Sequence, residues 1–209
     1  MNPQEETKVV MDDDMKAGEV DYDAAVQAAE DFIEALGLDL DNEHLSGTPT
    51  RLAKSRAYEL FEGLRNDPRE HLERTFEDSE SVSDQFVIVD NIQVESMCAH
   101  HFLPFRGRAH VGYIPDEEVV GLSKLARVVR GYARRPQVQE RLTNQIADAI
   151  HEELNPQAVV VFVRAEHECM SCRGIEEAHS ATRTTALRGK ARDEAHIKDE
   201  FFQMLRTGE

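Results

Sequence analysis

The chain has 209 residues, with 24 Lys and Arg against 41 Asp and Glu and a formal net charge of −17. A charge of this sign and size argues against a general binder of nucleic acid or of anionic membranes. A chain of this length can bury a sizeable core in one large domain without metal or disulfide staples.

Lysine is scarce, so arginine supplies most of the positive charge. An acidic excess with few lysines is typical of a protein that works in concentrated salt, where screening weakens self-repulsion; an acidic protein of an ordinary cytosol is the alternative. No signal segment opens the chain, and no apolar run reaches the ~18 residues of a membrane span. Three cysteines cannot all pair with one another. We therefore expect a cytoplasmic protein with reduced thiols and no membrane partner.

The first part of the chain is predicted to be a tail followed by two helices. Residues 1–20 are acidic and lack apolar periodicity, which predicts a disordered tail. Residues 21–66 form an N-terminal helical region: apolar residues recur at helical spacing up to Gly37, and Thr48-Pro49 is typical of an N-cap and first helical residue. The polar residues 66–84 predict a surface loop.

Residues 67–209 are predicted to form one α+β domain. The predicted elements are, in chain order, a strand over 86–94, a returning strand over 107–114, a helix over 122–132, a longer helix from Pro136, a buried strand over 158–163, its hairpin partner over 176–187 and a closing helix over 193–205. The order of hairpin, two helices, hairpin and helix predicts an antiparallel sheet with packed helices.

Two stretches of this domain hold all three cysteines, each beside histidine: Cys98-Ala-His-His101 and His167-Glu-Cys-Met-Ser-Cys172. So little sulfur, all of it beside imidazole, predicts a metal or catalytic site. A catalytic zinc keeps three protein ligands and leaves its fourth position to water, and two thiolates favour zinc over magnesium or calcium.

Spacing divides these residues between ligands and free groups. Cys98 and His101 are three apart, which a turn can bring onto one ion, whereas the adjacent His100 points elsewhere. On an extended strand His167 and Cys169 would share a face. We therefore predict that Cys98, His101 and Cys169 bind zinc, with His100 and His167 close by but free.

Two other interpretations stay open. Cys172 as a fourth ligand would give a closed structural site without chemistry, and the residues could be ordinary buried thiols and imidazoles. A purely structural zinc would leave two spare histidines and the nearby cations unexplained.

Cationic residues suggest a phosphate-bearing substrate. Lys124 and Arg127 lie on one face of a predicted helix, and Ser123 lies at its start, where free N–H groups favour an anion. Arg173 follows Cys169 by four residues, so a metal would bring it near. Taken alone, Lys124 and Arg127 are more typical of a solvated helix face; the functional interpretation requires that the fold joins them to the metal.

Gln139 and Glu140 open the longer helix. An amide and a carboxylate there could read the edge of a purine, or the acid could complement the helix dipole. The residues alone favour the dipole.

Four blocks now resemble the signatures of GTP cyclohydrolase I: Glu95-Ser-Met-Cys-Ala-His-His101, Gly121-Leu-Ser-Lys-Leu-Ala-Arg127, Arg134-Arg-Pro-Gln-Val-Gln-Glu-Arg-Leu-Thr143 and His167-Glu-Cys-Met-Ser-Cys-Arg-Gly174. The resemblance runs from about Thr48 to the C-terminus. It implies the tunnelling fold, a homodecamer of two pentamers with sites between subunits, and conversion of GTP to 7,8-dihydroneopterin triphosphate with release of formate. That reaction would be a first step towards tetrahydrofolate and other pterins, and possibly towards deazapurine tRNA bases.

The resemblance also implies a role for each matching residue. The zinc ligands are Cys98, His101 and Cys169. The acid–base residues are His100 and His167. The guanine contacts are Gln139 and Glu140. The triphosphate contacts are Ser123, Lys124, Arg127 and Arg173, with Arg51 supplied by a neighbouring subunit.

This chain departs from the family pattern at three places. Ala99 stands where glutamate is usual, Cys172 where a thiol is not, and Lys190-Ala191 where an aromatic or apolar residue is usual. None of these changes removes a catalytic group. The alternatives are another enzyme of the same fold, such as the nitrile reductase of deazapurine metabolism, and a zinc-stabilised binding module without catalysis.

Overall fold

The computed structural model describes residues 19–77, 85–116 and 118–206, and one five-stranded sheet lies at its centre. The acidic tail expected over residues 1–20 lies outside the described residues up to residue 18, as do residues 78–84 of the expected loop. No helix in the described ranges combines the length and apolar character that crossing a membrane requires.

The expected N-terminal helical pair is present. Helix α1 (Tyr22–Ala35) begins after Asp21, whose carboxylate caps it by accepting a backbone N–H of the first turn at 3.0 Å. Helix α2 (Thr48–Lys54) begins one residue earlier than predicted, because Gly47 is the N-cap and Thr48 is already helical. Proline still lies in the first turn of α2, where its missing N–H is harmless.

The second predicted helix does not continue as one α-helix. After α2 the chain forms a π-helical stretch, Ser55–Leu60, and a 3-10 turn, Glu62–Leu64. The N–H of Gly63 donates to the carbonyl of Arg134 at 2.9 Å, and a Cβ on Gly63 would lie 2.0 Å from the carbonyl oxygen of Gly131. Only glycine permits this backbone approach, so docking against a later helix overrides the helical pattern.

The prediction of a plain surface loop over residues 66–84 was wrong where the chain is described. Pro68–His71 forms a 3-10 turn, and Leu72, which follows it, is buried in the core at 1% exposure. Strand β1 (Thr75–Glu77) pairs antiparallel with β4 (Glu118–Val120). A single apolar residue among charged neighbours produces no periodicity, which is why the sequence pattern did not indicate this packing.

The central sheet contains the two predicted hairpins. Its strands are β2 (Val87–Cys98), β3 (Pro104–Ile114), β5 (Pro136–Gln137), β6 (Ala158–His167) and β7 (Thr182–Gly189). They lie in the order β5-β2-β3-β6-β7, and all neighbours are antiparallel except β5 and β2, which are parallel. Strand β2 runs past its predicted end to Cys98, and β7 begins only at Thr182, later than the predicted start at residue 176.

Helices cover both faces of the sheet. The remaining helices are α3 (Leu122–Ala133), α4 (Gln139–Leu154), the single turns α5 (Glu168–Ser171) and α6 (Lys190–Asp193), and α7 (Ala195–Arg206). Alternate residues of β6 enter two cores: Val161 packs with α3 and α4, and Val160 packs with Phe201 of α7. The predicted α+β class with an antiparallel sheet and packed helices is confirmed. The closing helix is preceded by a separate turn rather than starting at residue 193.

Candidate active site

Cys98 and Cys169 meet because β2 and β6 end at the same end of the sheet. Both strands are antiparallel to β3, which lies between them, so they run in the same direction. Phe105 of β3 pairs with Ser96 on one side and with His167 on the other. The two stretches that carry Cys98 and Cys169 therefore lie at the same end of the sheet with only β3 between their strands, although they are far apart in the chain.

A tight turn after β2 places the first two ligand-type side chains together. The N–H of Phe102 donates to the carbonyl of Cys98 at 2.8 Å, the N–H of Cys98 donates to the carbonyl of Leu103 at 2.8 Å, and Phe102 has a φ of 52°. Within this turn Cys98 Sγ lies 3.7 Å from Nδ1 of His101. Two ligands at 2.3 and 2.1 Å from a tetrahedral zinc would be about 3.6 Å apart, so this pair already has the separation that zinc requires.

Cys169 joins this pair from a helical turn, not from a strand. Strand β6 ends at His167 and α5 begins at Glu168, so the predicted extended backbone through Cys169 was wrong. The ligand atoms of Cys98, His101 and Cys169 nevertheless all lie within 4.8 Å of one another. A small closure would bring all three to zinc-binding distances, and two thiolates with one imidazole suit zinc.

Burial favours the protonated form of the Cys169 thiol. Burial and the neighbouring Cys98 raise the pKa of the Cys169 thiol, while the Arg173 guanidinium opposes this shift. Metal binding would therefore displace thiol protons, and metal affinity would rise with pH. Cys172 is exposed and lies outside the group of three.

The two other histidines flank the group in different settings. His100 is exposed, and its ring is 6.2 Å from that of His101 at an interplanar angle of 87°. His167 stacks on Phe105 with ring centroids 4.6 Å apart, and its Nε2 lies 2.8 Å from Oε1 of Gln139. Burial lowers the pKa of His167, and the nearby Glu140 carboxylate partly opposes that shift.

Gln139 and Glu140 are neighbours at the start of α4 with opposite environments. Glu140 is exposed, close enough to His167 to influence its charge. Gln139 is buried at 1% exposure, and its amide nitrogen donates to the carbonyls of Val163 and Thr182 at 3.2 Å each. The carboxylate is thus presented to the surface, whereas the amide is engaged inside the protein.

Of the predicted phosphate contacts, Arg173 lies at the group of three. Its Nη1 is 2.8 Å from Nε2 of His101. Arg51, on α2, donates from Nη2 to the carbonyl of His44 at 3.3 Å and to Oγ1 of Thr48 at 3.2 Å.

Ser123 and Lys124 lie at the start of α3, at the other end of the sheet, and Arg127 lies in the middle of α3. The N–H of Val120, just before α3, donates to the hydroxyl of Tyr113. Tyr113 pairs with Val87, the first residue of β2, whereas Cys98 is the last residue of that strand. A strand the length of β2 spans about 35 Å. The C-terminal end of α3, not its first turn, leads into β5 beside Cys98. One chain therefore does not bring these three residues to its own metal-ligand group.

Next to the group of Cys98, His101 and Cys169 lies a network of ion pairs that the sequence did not predict. Arg106 on β3 contacts Glu95 of β2 at 3.2 Å and also Glu168 of α5, and Arg134 lies 3.6 Å from the second oxygen of Glu95. A cavity of about 170 Å³ next to it is lined in part by Arg106, Glu168 and His167. Counting outwards from the hairpin turn would have paired Glu95 with Arg106, but nothing in the sequence indicates that Glu168 joins them.

Comparison with known proteins gives a consistent result. A family model of GTP cyclohydrolase I matches residues 25–206. A protein of Carboxydothermus hydrogenoformans named GTP cyclohydrolase 1 is 53% identical over 172 residues, which are 81% of this chain and 87% of that protein. Its namesake in Streptomyces coelicolor is 50% identical over 200 residues, 94% of this chain and 96% of that protein. Among solved structures, the archaeosine synthase QueF-Like in the apo form covers 51% of this chain and 96% of its own at 21% identity, with a TM-score of 0.42.

Proposed function

The chain belongs to the GTP cyclohydrolase I family, and we propose on this basis that it is a zinc-dependent enzyme that opens the guanine ring of GTP, releases formate and forms 7,8-dihydroneopterin triphosphate. The observation that carries the proposal is the meeting of Cys98, His101 and Cys169 at one end of the sheet, with His100 and His167 beside them but outside the group. Its product would enter the biosynthesis of tetrahydrofolate and other pterins, with deazapurine bases as a further outlet.

Zinc would be held by the two thiolates and by His101. When bound, the ion supplies Lewis-acid activation of water, which the hydrolytic steps of the reaction require. His100 and His167 would move protons to and from the purine ring and the opened intermediate, since imidazole changes charge near neutral pH. The exposed Glu140 carboxylate would accept hydrogen bonds from guanine N–H groups and so discriminate against purines that lack them. Arg173 would hold the triphosphate next to the metal.

The active site proposed here is completed by a second copy of the chain. Ser123, Lys124 and Arg127 carry the charge that a triphosphate needs, yet they lie away from the metal-ligand group of their own chain. The outer edge of β2 pairs with β5 at Met97 and Cys98 only, so most of that edge has no strand partner within the described chain. Phe32 on α1 and Leu36, which caps its C-terminal end, are each 60% exposed, and Leu122 at the start of α3 is 57% exposed. Open strand edges and exposed apolar side chains favour a homo-oligomer, and we propose the decamer of two pentamers with Arg51 reaching a neighbouring site.

One assay tests the reaction. Purified full-length protein is incubated with zinc and GTP at low and at high salt, and formate and a pterin fluorophore are measured after oxidation. We expect both products in equal amounts, and none from a Cys98→Ser variant. Absence of both products at every salt concentration would contradict the proposal and leave a non-catalytic binding module of this fold.

A further inference from the structure

Gln139 makes a set of contacts that fixes which way round its amide lies. Its Nε2 donates to the carbonyls of Val163 and Thr182 and lies 3.1 Å from Oγ1 of Thr184. Backbone carbonyls only accept hydrogen bonds, so the NH₂ end of the amide must face them. The oxygen end, Oε1, therefore faces His167.

Thr143 and Thr184, which both contact Gln139, are consistent with the same orientation of its amide. Oγ1 of Thr143 donates to the backbone carbonyl of Gln139 at 2.7 Å and lies 2.6 Å from Oγ1 of Thr184. Because the proton of Thr143 is used on the carbonyl, Thr184 donates to Thr143 and keeps a lone pair for Nε2 of Gln139. Each hydroxyl proton is then used once, and reversing the amide would point its oxygen at the carbonyl oxygens of Val163 and Thr182, where acceptor would face acceptor.

This arrangement determines the tautomer of His167. An amide oxygen can only accept, so the ring nitrogen 2.8 Å from it, Nε2, must carry a hydrogen. Neutral His167 then keeps its free lone pair on Nδ1. Stacking on Phe105, with an interplanar angle of 12°, holds the plane of the ring.

We infer that Gln139 is a positioning residue that acts through His167, holding the proton on Nε2 so that Nδ1 is the atom that exchanges protons with the substrate. The inference rests on the proposed function, in which His167 is an acid–base residue. It gives Gln139 a task different from the guanine contact that the family resemblance implies. Its neighbour Glu140 keeps the guanine contact.

The test compares Gln139→Met with a matched variant in zinc-loaded, full-length protein. Methionine preserves the length of the side chain and removes its hydrogen bonds. Gln137 is the control: it is equally buried at 1% exposure, and its amide donates to the carbonyl of Tyr132 and to Gln145, without touching His167. Zinc content and the thermal midpoint of every variant are measured, so that kcat is compared only between folded, metal-loaded proteins.

For Gln139→Met we expect kcat to fall about 10- to 100-fold, the loss typical of residues that orient metal-bound histidines through the same kind of hydrogen bond. KM for GTP and the preference for GTP over inosine triphosphate should stay within about twofold, because uniform substrate binding is untouched. Gln137→Met should keep its kcat even if it unfolds at a lower temperature. Gln139→Glu, whose carboxyl retains an acceptor oxygen for Nε2 of His167, should recover part of the lost kcat.

A double-mutant cycle separates this inference from the proposed function. In a His167→Ala background, Gln139→Met should change kcat by less than about twofold, because both variants remove the same interaction. Multiplying effects, or a raised KM with weaker discrimination against inosine triphosphate, would overturn the inference and favour the guanine contact. An unchanged kcat in His167→Ala alone would instead overturn the acid–base role of His167.

Discussion

His100 and His101 are adjacent, yet the turn after β2 gives them different surroundings. Nδ1 of His101 lies 3.7 Å from Cys98 Sγ, within the group of three, whereas the His100 ring lies outside that group and nearly perpendicular to its neighbour. His100 is not part of that group. This geometry supports the proposal that His101 is a metal ligand and leaves His100 available for the proton transfer proposed above.

Replacing His100 by alanine tests this division. The variant should bind zinc as the parent does, because no ligand is removed, and should lose about 10²- to 10⁴-fold in kcat, the usual worth of a general acid or base. Zinc is measured by elemental analysis after gel filtration, and His101→Ala, which should lose the metal, is the control. Loss of zinc from His100→Ala would show that the roles of the two histidines are assigned the wrong way round.

Cys172 provides the second prediction at this scale. Its side chain is exposed and lies outside the group formed by Cys98, His101 and Cys169, so Cys172→Ser should retain both zinc and activity. Cys169→Ser serves as the control and should lose both, since it removes a thiolate ligand. If Cys172→Ser releases zinc, the closed structural site with four ligands is the correct description.

At the scale of elements, the sequence predicts the strands that carry the site better than the turns that finish it. The hairpin order alone implies that β2 and β6 run in the same direction, so the meeting of Cys98 with the chain after His167 was predictable. The single turn α5 was not predictable, because four residues show no helical period. Cys169 was predicted to lie beside Cys98 on an extended strand, and it lies there on a helical turn instead. The position of α3 relative to the metal-ligand group also depends on long-range packing that local patterns do not contain.

Arg106 connects three of these elements and should steady the Cys169 turn. It pairs with Glu95 on β2 and with Glu168, the residue before Cys169. Its side chain is 58% exposed, so each ion pair contributes only about 0.2–1 kcal/mol, and Arg106→Met should weaken zinc binding by about 2- to 10-fold. Competition with a chelator at low salt measures the change.

Arg108→Met is the matched control for Arg106. Arg108 is two residues along the same strand and equally outward-facing, but it donates to the carbonyl of Asn91, away from α5. Its zinc affinity should equal that of the parent. Equal loss in both variants would mean that general surface charge, not the bridge to Glu168, affects the metal.

At the scale of the whole molecule, the start of α3 and the group of Cys98, His101 and Cys169 lie at opposite ends of one chain's sheet. In the proposed function a working site would therefore combine two copies, one supplying the metal half and the other supplying Ser123, Lys124 and Arg127. A net charge of −17 makes the copies repel one another, so salt should strengthen the assembly by screening.

Mixing two inactive variants tests this shared site. His100→Ala lacks the acid–base group of the half that holds the metal, and Lys124→Ala lacks a cation of the phosphate half, so each should be nearly inactive alone. In randomly mixed assemblies about a quarter of the sites combine two intact halves, and activity should return to about that fraction of the parent, more readily at high salt. Mixtures that stay as inactive as their components would contradict sites built between copies.

The central claim is that one zinc, held by Cys98, His101 and Cys169, enables this fold to open the guanine ring of GTP. The most direct measurement is a zinc titration of chelator-stripped full-length protein, following formate release from GTP. We expect no activity without metal, a linear rise that saturates at about one zinc per chain, and no recovery in Cys98→Ser or Cys169→Ser. Full activity in the stripped protein, or recovery in either serine variant, would contradict it.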